Sequence, residues 1–377
     1  MNDIILYILM LFMSLGALDR ILGYKLGLGQ KFEEGFMAMG NLALSIIGIY
    51  SIAPLLSTTL EKVVGPIFSL LGADPSIFPA SILASDMGGY LSAMKMAESQ
   101  EIGLFAGLIL ASSLGAAVIF TIPIGAGLVQ KVDYPYFTKG VLIGLTTVPI
   151  SGFVGGISMG LPIGILLKNL LPIVFIAFFL GIGLIKWPEN MITGFYWFSK
   201  SIITLGTLGL VISVIQNVTG KVIIVGMEPF DEGLRIVGSI AIILSGAYPM
   251  VIVMTNIFKK PLSRIGNILG ISEKSITALI MSLANNIPAF ANLHDMDDRG
   301  KVMVSAFSVG GAFVLGGQLG FVAGIDKTMI TPFIISKIVG GIGSIVIAYM
   351  ITKPNSKNIS NTDEEKMLEL VIADEPL

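Results

Sequence analysis

Residues 282–290 read Ser-Leu-Ala-Asn-Asn-Ile-Pro-Ala-Phe, or SLANNIPAF. Two adjacent amides and a proline follow the apolar run ITALIM at 276–281. An amide without a partner is costly in hydrocarbon. Proline removes a helical donor and clashes with the preceding turn. Inside a membrane, such a break is tolerated only where its freed groups are buried in protein or line a wet cavity. The fold therefore turns on whether this stretch lies at membrane depth.

Composition answers that question. The chain has 377 residues, of which 54% are hydrophobic and 13% charged. Soluble domains carry about 25% charged residues. The 45 glycines point the same way, because glycine is more frequent in membrane helices than in soluble ones. Mean hydropathy is +0.88. Long, largely apolar runs recur, as at 102–129 and 302–324, each able to cross ~30 Å of hydrocarbon. The fold class is an all-α polytopic membrane protein, with the lipid bilayer as its first partner. There are no cysteines, so disulfides and thiolate metal sites are excluded. The net charge is −2 and no basic cluster could track phosphates, so no nucleic-acid partner is expected. The chain opens Met-Asn-Asp without a basic n-region. Its apolar start therefore reads as a first membrane helix rather than a cleaved signal peptide.

Working outward, length and apolarity give about nine crossings. They lie at 4–17, 36–56, 102–129, 137–158, 170–185, 191–218, 234–258, 302–324 and 330–351. Two stretches, 63–97 and 262–293, hold short apolar runs broken by Gly, Pro, Asp and Asn. Each reads as an interfacial helix followed by a re-entrant hairpin. Residues 1–352 form one transmembrane domain, and 353–377 an acidic, disordered cytoplasmic tail. With this topology fifteen Lys and Arg fall on one side and five on the other. The positive-inside rule then puts the C-terminus in the cytoplasm and the N-terminus outside.

The two irregular stretches resemble each other. Each carries a short apolar turn ending in Leu-Gly, at Gly72 and Gly270, then a linker and an apolar run. Asp86 and Asn285 follow those glycines at nearly equal spacing. Asp-x-x-x-x-Thr then recurs at 133–138 and 326–331. The expected halves are approximately 63–158 and 262–351. Five crossings separate the hairpins, and an odd number makes the repeat inverted, as in many secondary transporters.

Polar residues in these stretches are the candidate substrate-binding residues. Asp86, in SDMGGY (85–90), is a carboxylate with no basic near neighbour before Lys95. At membrane depth such a group faces a cavity, pairs, or binds a cation. Ser85 adjoins it, and Tyr90 could stack on a cation. Asn285 and Asn286 offer donors and acceptors to a hydroxyl or amine. Gln318 and Tyr248 are further polar groups in apolar spans. Each has a plainer reading: a cap at the interface, a helix–helix hydrogen bond, or packing. Glu33 and Glu34 suit a helix start.

Enzyme chemistry finds little support. GISMG (156–160) matches Gly-x-Ser-x-Gly, a cheap match in a glycine-rich chain. A serine nucleophile needs a base, and the only histidine, His294, lies in the polar loop NLHDMDDRGK. That loop's acidic residues read as a solvated turn rather than a metal site. No phosphate-cradling Gly-x-x-x-x-Gly-Lys-Ser/Thr is present, so nucleotide hydrolysis is not expected. No cofactor or metal is expected; the sequence leaves coupling open between sodium, a proton and none, as in channel-like diffusion or metabolic trapping.

Several blocks together resemble a known family. GALDRILG (16–23), FEEGFMAMG (32–40), SDMGGY (85–90), SGAYPM (245–250), LANNIPAF (283–290), MDDRGKV (296–302) and LGGQLGF (315–321) are similar to the ethanolamine-utilisation permeases. The resemblance runs from near the N-terminus to about residue 351. It implies a bacterial inner-membrane protein that moves ethanolamine inward. The hairpin layout also resembles concentrative nucleoside transporters, which bears on fold alone. The rival readings are an ion-coupled carrier of nucleosides or another polar solute, and a scaffold that moves nothing. Packing glycines also permit a homo-oligomer.

Overall fold

The computed structural model describes residues 2–352, and no strand occurs among them. The chain opens with α1 (Asn2–Ile21) and the long α2 (Leu28–Leu70). Two short helices, α3 (Ile77–Ile82) and α4 (Gly89–Met96), flank a first break at 83–88. One buried rod follows, built from α5 (Gln100–Leu104), π-helical stretches at Phe105–Gly115 and Ala117–Thr121, and α6 (Ile122–Leu128). Then come α7 (Tyr134–Ser158), α8 (Ile163–Lys186), α9 (Pro188–Thr219) and α10 (Phe230–Leu269). The pair α11 (Glu273–Ala284) and α12 (Ile287–Ala291) flanks a second break at Asn285-Asn286. The pair α13 (Asp298–Gly310) and α14 (Gly317–Ile325) flanks a third at 311–316, and α15 (Ile330–Ile351) closes the chain.

Eight helical stretches among the described residues are long and apolar enough to cross a membrane. Two expectations change. The crossing expected at 302–324 is two half-helices, because paired glycines at 310–311 and 316–317 bracket an unwound stretch. The interfacial helices expected at the start of 63–97 and 262–293 are the ends of α2 and α10. Those helices have 43 and 40 residues, about 60 Å each at ~1.5 Å per residue. The tail at 353–377 lies outside the described residues.

Local chemistry sets the helix ends. Ser272 caps α11 by accepting the Ser275 amide, and Asp297 caps α13 by accepting the Gly300 amide. Gly270, with φ of 65°, ends α10 in the left-handed conformation. Pro288 sits in the first turn of α12, where its missing N–H costs nothing.

The long helices α2 and α10 pack on each other, while α7 packs on α13 and α15. A side chain at Gly48 would collide with the Gly206 carbonyl, so glycine there lets α2 and α9 touch backbone to backbone. The rod is the most buried span. On α8 and α9, by contrast, Phe175, Phe178, Phe179, Leu205 and Leu208 point outward, as a lipid-facing surface requires.

A carboxylate links separate parts of the chain around each of the first two breaks. The Glu98 amide donates to Asp74 Oδ2 at 3.0 Å, and the Ser76 amide to Asp74 Oδ1 at 2.8 Å. In the second stretch the Ser272 amide donates to Asp297 Oδ1 at 2.7 Å. Asp74 thus joins the residues before α3 to those after α4, and Asp297 joins the start of α11 to the start of α13.

Candidate functional site

The first break begins where Leu83 leaves the helical region, with φ −116° and ψ 135°. Gly88, with φ of 91°, starts α4, a conformation that favours glycine. The second break begins at Asn285, extended at φ −159° and ψ 134°. Its Oδ1 accepts the Ile287 amide at 2.9 Å, which starts α12. That leaves the Asn285 amide nitrogen for another partner.

The third break meets the second. Amides of Phe313 and Leu315 donate to the carbonyls of Ser282 and Leu283, at 3.0 and 2.9 Å. These carbonyls end α11, so the two breaks satisfy each other's backbone. Phe313 takes φ of 63° to do so, an uncommon value for a bulky residue. Glycine makes both approaches fit. A side chain at Gly316 would collide with the Ala284 carbonyl, and one at Gly115 with the Leu83 carbonyl.

A cavity of about 450 Å³ lies where the three breaks converge. The first break contributes Ala84, Asp86 and Met87; the second, Ala284, Asn285 and Ile287. The third contributes Phe313, Gly317 and Gln318. The rod adds Ala116, Ile119 and Phe120, while α2, α9 and α10 add Asn41, Ser45, Ser199 and Tyr248. The Phe313 and Phe120 rings meet edge to face at 5.5 Å. Among the described residues no basic side chain pairs with Asp86. Gln318 is buried and its Oε1 has no hydrogen-bond partner. The cavity thus offers a lone carboxylate, an amide nitrogen, an amide oxygen and a phenol on an apolar wall. Those groups suit a small polar cation.

Four of the seven candidate residues, Asp86, Asn285, Gln318 and Tyr248, line this space. The other three are not among its lining residues. Ser85 is buried with no partner for its hydroxyl. Tyr90 packs edge to face on Phe321 at 5.9 Å. Asn286 is fully buried and donates to the Ser308 carbonyl at 3.0 Å. Sequence reasoning missed Asn41, Ser45 and Ser199. The signal for Asn41 was present, since it is a lone amide within the apolar run at 36–56.

The remaining motifs go elsewhere. The Ser158 hydroxyl donates to the Gly155 carbonyl at 2.7 Å, while His294 Nδ1 lies 2.9 Å from Asp133 Oδ2. Serine and histidine form no catalytic pair. Asp133 also accepts from Lys301 at 2.7 Å, and Lys274 lies 3.6 Å from Asp295. Glu33 accepts from Arg20 and Tyr24, both at 2.6 Å.

A multi-pass helical membrane protein with a polar cavity between broken helices has the layout of a membrane carrier. The family model described as "Ethanolamine utilisation protein, EutH" matches residues 1–351, and the chain belongs to that family. It is 46% identical over 358 residues to a "Probable ethanolamine permease EutH" of Listeria monocytogenes, covering 95% of this chain and 96% of that protein. It is 45% identical over 355 residues to the "Uncharacterized protein YxeR" of Bacillus subtilis, covering 94% and 96%. The "Probable ethanolamine permease EutH" of Escherichia coli K12 is 37% identical over 402 residues, covering 97% and 98%. No solved structure matches the chain.

Proposed function

We propose that this protein carries ethanolamine across a bacterial inner membrane, through alternating exposure of the cavity between its breaks. The observation that carries the reading is the meeting of Asp86 with Asn285 and Gln318 around one space. Ethanolamine is largely an ammonium ion at neutral pH and ends in a hydroxyl. The Asp86 carboxylate takes the ammonium, and the Tyr248 ring adds a face for it. The free Asn285 nitrogen donates to the hydroxyl oxygen, and Gln318 Oε1 accepts the hydroxyl proton. The relatives from Listeria and Escherichia are named probable ethanolamine permeases, which supports the substrate. A permease moves its solute unchanged, so no bond-making step is assigned.

The stretches 74–98 and 272–297 are the proposed re-entrant hairpins. Support comes from the carboxylate that joins each entry to its exit. The inverted repeat is supported by element order. A helix of about 40 residues, a broken short pair, a long span, a 3-10 turn and a final helix occur twice. The first long span is the π-wound rod, and the second is the broken α13–α14 pair.

Asp86→Asn and Asn285→Ala are each expected to abolish labelled ethanolamine uptake at low substrate, while membrane insertion is retained. The assay is flux into proteoliposomes, with insertion checked by fractionation. Normal uptake by both variants would remove this site assignment. The cavity exceeds what so small a solute fills, so nucleosides belong in the assay as competitors. Strong inhibition by them would favour the broader polar-solute reading, and no flux of any solute would favour a scaffold.

A further inference from the structure

The third break strips donors from one end of α13. In an unbroken helix the carbonyls of Ser308, Val309 and Gly311 would accept from the amides of Ala312, Phe313 and Leu315. Here Ala312 donates to Phe307, Phe313 to Ser282, and Leu315 to Leu283. All three carbonyls lose those donors, at the negative end of the α13 dipole.

Asn286 reaches the same end. Its Nδ2 donates to the Ser308 carbonyl at 3.0 Å. A carbonyl can only accept, so this bond fixes which end of the amide is nitrogen. Asn286 Oδ1 is the other end, and it is fully buried with no hydrogen-bond partner. Acceptors without donors are costly at membrane depth. The Ser308 carbonyl thus regains a donor, whereas Asn286 Oδ1 and the carbonyls of Val309 and Gly311 are left for a cation to answer.

We propose that Asn286 Oδ1 and the carbonyl oxygens of Val309 and Gly311, freed at the end of α13, bind a sodium ion. The donors are hard oxygens, which select hard cations. They are also neutral. Among the described residues no cluster of three or more His, Cys, Asp or Glu could hold a metal, and divalent ions want carboxylates. A monovalent ion fits this set. The set of oxygens is small, which suits the lower coordination number of sodium better than that of potassium.

The ion would bridge the second and third breaks, one residue from the cavity-lining Asn285. Through that bridge sodium couples to solute movement. This coupling rests on the transport reading, whereas ion binding does not.

The test is thermal unfolding of the purified full chain in detergent, without solute, across matched series of sodium, potassium and choline chloride. Ligand that binds only the folded state raises the midpoint with concentration. The wild type should be stabilised by sodium alone. Asn286→Leu should lose that response, and Asn286→Asp, which keeps the oxygen and adds charge, should respond at lower sodium. Where Asn286→Leu fails to fold, the wild-type series and Asn286→Asp decide. Equal midpoints in sodium and choline would overturn the proposal. So would equal effects of sodium and potassium, a sodium response retained by Asn286→Leu, or Asn286→Asp responding no better than the wild type. Absence of ethanolamine flux would count against the transport reading and leave the ion site standing on its own result.

Discussion

At the scale of single residues, the site is built from groups that are expensive where they stand. A carboxylate away from water is costly without a partner, and among the described residues no basic side chain pairs with Asp86. Gln318 presents a buried oxygen with nothing to accept from. Gln318→Leu keeps the bulk and removes the acceptor. The apparent affinity for ethanolamine should fall about tenfold, the equivalent of one lost hydrogen bond to a buried group, read from the concentration dependence of uptake. These two residues, with Asn285 and Tyr248, were legible because polar groups in apolar runs stand out. Their neighbours could not be sorted the same way. Asn285 is extended at φ −159°, whereas Asn286 is near-helical at φ −78°. That difference separates the adjacent amides, one lining the cavity and the other not, and no periodicity encodes it. Ser199 was illegible for another reason. Helical serines commonly spend their hydroxyl on their own backbone, so one serine in α9 carries no signal of a cavity.

At the scale of elements, breaks are stable because they complement each other. The second break frees carbonyls that amides of the third reach. Glycine pairs at 310–311 and 316–317 marked the third break in the sequence. Glycine also serves tight helix packing, which is why the stretch reads equally well as one crossing. The Asp-x-x-x-x-Thr match shows a related ambiguity. The 3-10 turns are Lys131–Asp133 and Lys327–Met329. Helix starts therefore align Lys131 with Lys327, and Asp133 with Met329 rather than with Asp326. Asp133 has its own task. It pairs with Lys301 at 2.7 Å, with side chains only 2% and 9% exposed, and ties the start of α7 to α13. Breaking a buried pair by removing one partner costs about 3–5 kcal/mol. Lys301→Met should therefore lower unfolding stability by about that amount, measured in detergent. The double variant with Asp133→Asn should recover much of it, since no uncompensated charge remains.

At the scale of the whole molecule, contacts join loops that the charge count groups together. The lysine and arginine count put 95 and the 220–229 loop on one face, and Lys95 pairs with Glu228 at 2.8 Å. It put Asn2 and Thr328 on that face too, and the Asn2 amide donates to the Thr328 carbonyl at 3.1 Å. On the other face Lys301 meets Asp133. A reporter fused after residue 352 should accordingly be active only as a cytoplasmic type; an active periplasmic reporter there would reverse the orientation. The bundle, its outer helices and its two irregular stretches were legible from hydropathy and punctuation. How the stretches meet was not, because that depends on backbone pairing between segments far apart in sequence. In the proposed mechanism they meet around a wet chamber that ethanolamine occupies. A chain without cysteine allows a direct measurement. Ala284→Cys, on the cavity wall, is exposed in proteoliposomes to a small, membrane-impermeant thiol reagent, with and without ethanolamine. The thiol should be modified from the aqueous phase, more slowly as ethanolamine is added. A thiol inert from both sides, or one modified at the same rate whatever the ethanolamine concentration, would contradict that mechanism.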